Sequence, residues 1–150
     1  SMLAWAGLCE DDYACGSQWP TNSEATIALA RAGGSPTQAH NNCSGKHAGF
    51  LCTCVHEGID HGGYTTHGHK LQELVREAME SVTGAAHAVG HCATDGCSSP
   101  TYAVPLKSLA RGFARMAICR AGARKRQSAF SAPAWPSPFM LPARDARIPR

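Results

Sequence analysis

Asn41-Asn42-Cys43-Ser44-Gly45-Lys46-His47-Ala48-Gly49-Phe50 places a thiol, a hydroxyl, an amine, an imidazole and two amides within ten residues. Cys43 and Lys46 are three apart, so on a helix they share one face. A second stretch, Thr94-Asp95-Gly96-Cys97-Ser98-Ser99-Pro100-Thr101-Tyr102, again combines a carboxylate, a thiol and hydroxyls around a glycine. The two stretches are expected to meet in space and form one site.

Cys43, Lys46 and Cys97 make the sharpest set. Two thiolates and a neutral amine are soft-to-borderline donors that suit Zn²⁺, and three protein ligands leave a fourth position for water or substrate. Metal binding would take the proton off the lysine, since only the free amine has a lone pair to give. Asp95, two residues before Cys97, is placed to orient a bound water or a substrate ammonium group. The plainer alternative makes both cysteines small buried hydrophobes. Another makes Cys43 the nucleophile of a thiol-dependent acyl transferase, with Lys46 lowering its pKa and His47 as base. A further set, Cys52, Cys54, His56, His91 and Cys92, offers ligands for a structural zinc, although its spacing departs from paired Cys-x-x-Cys. His61, His67 and His69 read as solvated loop histidines, Lys46 taken singly as a solvated lysine, and Tyr102 as packing.

The elements that must position these groups follow from periodicity and caps. Residues 1–8 read as a helix end closed at Gly7. Asn22 or Ser23 caps a helix over 24–32, ended by Gly33-Gly34. Cys43–Lys46 reads as a loop, anchored by the apolar run 50–55, which suits helix or strand. Leu71, Leu74, Val75, Ala78 and Val82 recur at helical spacing, predicting a helix over 69–82 stopped by Gly84. Residues 85–90 read as a short strand leading into the Asp95-Gly96-Cys97 loop. Residues 104–118 predict a helix started by Pro105, with Leu106, Leu109, Phe113, Met116 and Ala117 on one face.

A chain of 150 residues suits one domain. Of its 14 Lys and Arg, 7 fall in residues 119–150 beside the single acid Asp145, leaving 7 basic against 10 acidic groups in residues 1–118. A nucleic-acid partner would rest on that tail alone, and none is expected. No apolar stretch is long enough to span a bilayer and no secretory signal opens the sequence, so a cytoplasmic setting with reduced thiols is expected. Residues 119–150, with prolines from Pro133 onward, are expected to form a basic, largely disordered tail.

With these residues in hand, the sequence resembles the bacterial L-asparaginase II family, the Rhizobium-type (class 3) asparaginases. The resemblance runs over about residues 2–117. It is carried by Met2-Leu3 through Gly7-Leu8, Cys15-Gly16 with Trp19-Pro20, the whole of Asn41–Phe50, Tyr64 with His69-Lys70-Leu71-Gln72, Asp95-Gly96-Cys97, and Pro100-Thr101 through Arg115. It implies hydrolysis of the side-chain amide of L-asparagine to L-aspartate and ammonia. It also implies an α/β fold, a mixed α+β sandwich like that of serine β-lactamases and glutaminases, usually as a homodimer. Carried over residue by residue, Cys43, Lys46 and Cys97 match zinc ligands, and Asp95 matches an active-site carboxylate that binds substrate or water. Asp95 and Lys46 are thus the candidate catalytic residues and Zn²⁺ the candidate cofactor.

The resemblance also marks what is not matched. The family's serine–lysine pairs lie largely upstream of the matched segment, and a further catalytic lysine lies downstream. Residues 1–118 are therefore expected to be the central part of an asparaginase domain, possessing the metal half of the site and lacking the nucleophile half. The competing expectation is a non-catalytic zinc-binding module.

Overall fold

Leu51 and Cys54 lie one turn apart on a helix and both are wholly buried, and the core is organised around them. A computed structural model describes the backbone of residues 2–127 and the side chains of residues 2–117. The chain divides into two compact units, Ser1–Phe113 and Ala114–Arg150. The helices are α1 (Met2–Trp5), α2 (Ser23–Arg31), α3 (Ser44–Glu57), α4 (Lys70–Thr83) and α5 (Leu106–Gln127), with short 3-10 turns between several of them. Strands β1 (Cys92–Thr94) and β2 (Pro100–Tyr102) pair antiparallel, Ala93 opposite Thr101. The described part is thus mixed but rich in helix, with one small two-stranded sheet, and is compatible with the α/β class.

Local chemistry explains the helix ends. Asn22 caps α2 by accepting from the Ala25 amide. His69 caps α4, its Nδ1 accepting from the Leu71 amide while Nε2 donates to the Asp60 carbonyl. A histidine that the sequence left in a solvated loop therefore has both ring nitrogens engaged. Gly58 and Gly84 end α3 and α4 in the left-handed conformation, which costs a glycine little. Leu3, Ala48, Leu51, Cys54, Tyr64 and Leu71 close the core between α1, α3 and α4.

Three expectations are corrected. Lys46 is not in a loop: α3 begins at Ser44 and carries Lys46 and His47 in its first turn. Residues 85–90 hold no strand: His87 turns inward and is fully buried, and its Nε2 has no hydrogen-bond partner among the described residues. Its amide donates to Glu80 Oε1 and its Nδ1 faces the Ala85 carbonyl. The third concerns α5, which starts at Leu106 and runs to Gln127 rather than stopping near 118. Alanine, arginine and lysine favour helix, and no proline intervenes before Pro133. The proposed disorder of 128–150 lies outside the described residues. The apolar face expected on α5 is also exposed, with Leu106 at 80% and Phe113 at 62%. Gly112 is the buried position instead: a Cβ there would stand 3.2 Å from Thr83 Cγ2, so the helix approaches α4 through its smallest residue.

Candidate functional site

Cys43 sits at the N-cap of α3 and is held there by Asn41. The buried Asn41 side chain accepts from the Cys43 amide at 2.8 Å and donates to the Gly16 carbonyl at 2.8 Å. One amide thereby fixes the entry to α3 and ties it to the segment beside Cys15. From this start the helix aims Lys46 outward and His47 into the core, where the imidazole is fully buried.

Asp95–Ser99 forms the tip of the β1–β2 hairpin. Asp95 Oδ1 folds back over its own turn, accepting from the Cys97 and Ser99 amides, each at 3.0 Å. The Cys97 thiol donates to the same oxygen at 3.0 Å. Ser98 carries a positive φ of 70°, uncommon for a residue with a Cβ, and lets the turn close over the carboxylate. The other oxygen, Oδ2, accepts from Lys46 Nζ at 3.0 Å. α3 and the hairpin tip therefore meet, as the sequence led one to expect. Cys97 also lies close enough to Lys46 and Cys43 to shift the protonation of both. The four residues singled out from sequence form one cluster.

The electrostatics follow from these contacts. Burial works against an ionised Asp95, yet the Cys97 thiol, the Lys46 ammonium and the two turn amides outweigh it and hold the carboxyl well below the usual carboxylate range. Burial also works against a charged Lys46, and its bonds to Cys97 and Asp95 outweigh it, so its pKa lies above the ordinary value. Burial and the neighbouring Cys97 push the Cys43 thiol up. Both side chains of the Lys46–Asp95 pair stay about one third exposed. A pair so exposed adds roughly 0–1 kcal/mol, too little to explain the arrangement as a stability device.

The alternative sets fare differently. His47 cannot serve as base for Cys43, since Nδ1 is taken by the Tyr64 hydroxyl at 2.6 Å and Nε2 faces Ser99 Oγ at 3.5 Å. Cys52, Cys54, His56, His91 and Cys92 are not brought together. Cys54 is sealed in the core, Cys52 faces the Met2 carbonyl, and Cys92 lies 4.0 Å from His67. Among the described residues no group of three or more His, Cys, Asp or Glu side chains is arranged to hold a metal ion. A metal held by Cys43, Lys46 and Cys97 would need a lysine as third donor. The donor set, two thiols and an amine, fits zinc in its chemistry, and Cys43 and Lys46 both feel the charge of Cys97. A cavity of about 250 Å³ lined by His67, Gln72, Glu73, Arg76 and Tyr102 includes none of the four cluster residues.

Two residues were not legible as part of this site. Tyr64 lay between glycines as one aromatic among several, and Ser99 was one hydroxyl in a run of them. Ser99 follows Cys97 by two positions and Tyr64 lies ten residues beyond Cys54, so only their burial places them here. Cys15, wholly buried, also senses the charges of Cys97, Cys43 and Lys46.

A thiol, an amine and a carboxylate thus come together where the N-terminus of α3 meets the hairpin tip. The model of the L-asparaginase II family matches residues 1–138, and the chain belongs to that family. Membership supports an asparaginase-type function in general. None of the curated proteins compared matches the chain. No helix among the described residues is long and apolar enough to cross a membrane.

Proposed function

We propose that the chain serves an asparaginase-type amidohydrolase, which hydrolyses the side-chain amide of L-asparagine to L-aspartate and ammonia. In this reading Cys43, Lys46 and Cys97 hold a zinc ion, and Asp95 binds the substrate ammonium group or orients water. The observation that supports it is the hairpin carboxylate: Asp95 touches Lys46 and Cys97 at 3.0 Å each, within a sequence that the family model covers.

The chain's own residues have distinct tasks. Asp95 stays ionised near neutral pH and keeps a charged acceptor at the mouth of the site. Lys46 is a cation while paired with Asp95, and would have to give up a proton for its amine to hold the metal. Asn41 fixes Cys43, and the turn amides fix Asp95 so that it does not swing with substrate. Bound there, zinc would supply a Lewis acid and one open coordination position. No serine–lysine nucleophile pair is assigned among residues 2–117 in this proposal. The β-lactamase-like sandwich, a cytoplasmic setting and a homodimer complete the reading.

Zinc content and L-asparagine binding, measured on one preparation of the purified chain, test it. About one zinc per chain, lost in Cys97→Ser, is expected, with asparagine binding weakened in Asp95→Asn. Zinc-free protein at micromolar free zinc would remove the metal assignment. Asparagine binding unchanged in Asp95→Asn would remove the role given to that carboxylate.

A further inference from the structure

A second set of polar groups lies beneath the cluster and is buried throughout. His47 and Tyr64 are 0% and 1% exposed and Ser99 is 2% exposed. The Tyr64 oxygen accepts from the Ala14 amide at 2.9 Å and lies 2.6 Å from His47 Nδ1. His47 Nε2 lies 3.5 Å from Ser99 Oγ, and Ser99 Oγ lies 3.6 Å from Cys97 Sγ.

These contacts have one direction that leaves no proton stranded. A phenol that has accepted from an amide still holds one proton, and the acceptor in reach of it is His47 Nδ1. With Nδ1 accepting, the ring carries its proton on Nε2, where it serves Ser99 Oγ. The Cys97 thiol proton goes to Asp95 Oδ1, a charged acceptor at 3.0 Å. The Ser99 hydroxyl, having accepted from His47, is left to donate to the sulfur. The reverse polarity would bury the Tyr64 proton without a partner, a cost of about 1–3 kcal/mol.

We infer that Tyr64, His47 and Ser99 form a hydrogen-bond relay that ends on Cys97 Sγ and acts as a positioning device for that sulfur. The relay rests on the zinc reading only for its purpose, since its polarity is a property of the metal-free chain. As a metal ligand, Cys97 would be a thiolate needing hydrogen-bond donors. Asp95 then has no thiol proton to accept, and Ser99 becomes the donor the sulfur requires. The buried phenol and imidazole hold that hydroxyl on one side of the sulfur and keep water from replacing it. Partners one step behind a metal ligand typically change affinity 10–100-fold when removed.

Two measurements test the relay. The first is ¹⁵N NMR of the His47 ring in the metal-free full chain. The expected result is a neutral ring protonated at Nε2 with Nδ1 accepting; a ring protonated at Nδ1 overturns the relay whether or not metal binds. The second is Co²⁺ titration, following the sulfur-to-cobalt charge-transfer band in wild type, Cys97→Ser, Tyr64→Phe, Ser99→Ala and Ser99→Thr. Tyr64→Phe and Ser99→Ala are expected to weaken Co²⁺ binding about 10–100-fold and to move the band to lower energy. Ser99→Thr, which keeps the hydroxyl, restores both. Ser99→Ala with wild-type affinity and band energy overturns the relay. If wild type shows no band that Cys97→Ser removes, the zinc reading fails, and the His47 tautomer then decides the relay alone.

Discussion

Asn41 Oδ1 accepts the Cys43 amide at 2.8 Å while the same side chain donates to Gly16 at 2.8 Å, so one buried amide links the α3 entry to a segment 25 residues upstream. Asn41→Ala removes both bonds and leaves the Gly16 carbonyl without its partner. A loss of about 1–3 kcal/mol is expected, together with faster alkylation of Cys43 by iodoacetamide. Denaturant unfolding and labelling followed by mass spectrometry check the two effects. Unchanged labelling would show that Asn41 does not hold Cys43 in place.

The core and the exposed face of α5 predict opposite outcomes for similar residues. Leu51 is fully buried beneath α1 and α4, and Leu51→Ala should cost about 2–5 kcal/mol. Leu106 is 80% exposed, and Leu106→Ala should stay within about 0.5 kcal/mol. Urea midpoints of the two variants measured side by side decide it. A costly Leu106→Ala would mean that the α5 face is covered in solution.

Gly112 marks where α5 passes closest to α4. Gly112→Val brings branched carbons to a point where a bare Cβ already stands 3.2 Å from Thr83 Cγ2 and 3.7 Å from its backbone. Overpacking of this kind typically costs about 1–3 kcal/mol. Gly112→Val combined with Thr83→Ser, which removes the opposing methyl, should recover part of the loss. No recovery in the double variant would place the strain elsewhere.

How much of this was legible in the sequence depends on how local the cause is. The ends of α2 and the C-terminal end of α4 were readable because a capping asparagine or a stopping glycine lies within a few residues of them, whereas the His69 cap of α4 was not. The pairing of Cys43 and Lys46 with Asp95 and Cys97 was readable because the residue types themselves demanded a common chemistry. The direction of the α5 face was not, since it depends on Gly112 meeting Thr83, 29 positions away. The Tyr64–His47–Ser99 chain was hidden for the same reason: each member is ordinary alone, and only burial brings the three into line. The strand expected at 85–90 failed because His87 is buried there, with its amide on Glu80 and its Nδ1 facing the Ala85 carbonyl rather than a neighbouring strand.

Tyr64 provides the pH dependence. Burial pushes its phenol up to about 12 in the folded chain, against about 10 for a free tyrosine. The folded-state value is raised, so the stabilising effect is complete below about pH 10 and is lost as pH rises toward 12. Other groups titrate in that range, so the difference between wild type and Tyr64→Phe is the quantity to follow. At pH 8 Tyr64→Phe should be the less stable, because the Ala14 amide and His47 Nδ1 lose their partner. Between about pH 10 and 12 wild type should lose stability that Tyr64→Phe does not, on the order of 2–3 kcal/mol, and the gap should close or reverse. Urea unfolding at a series of pH values, monitored by far-UV circular dichroism, measures it. A gap that stays constant to pH 12 would mean that the phenol ionises equally well folded and unfolded, and that the hydroxyl is not sealed against water.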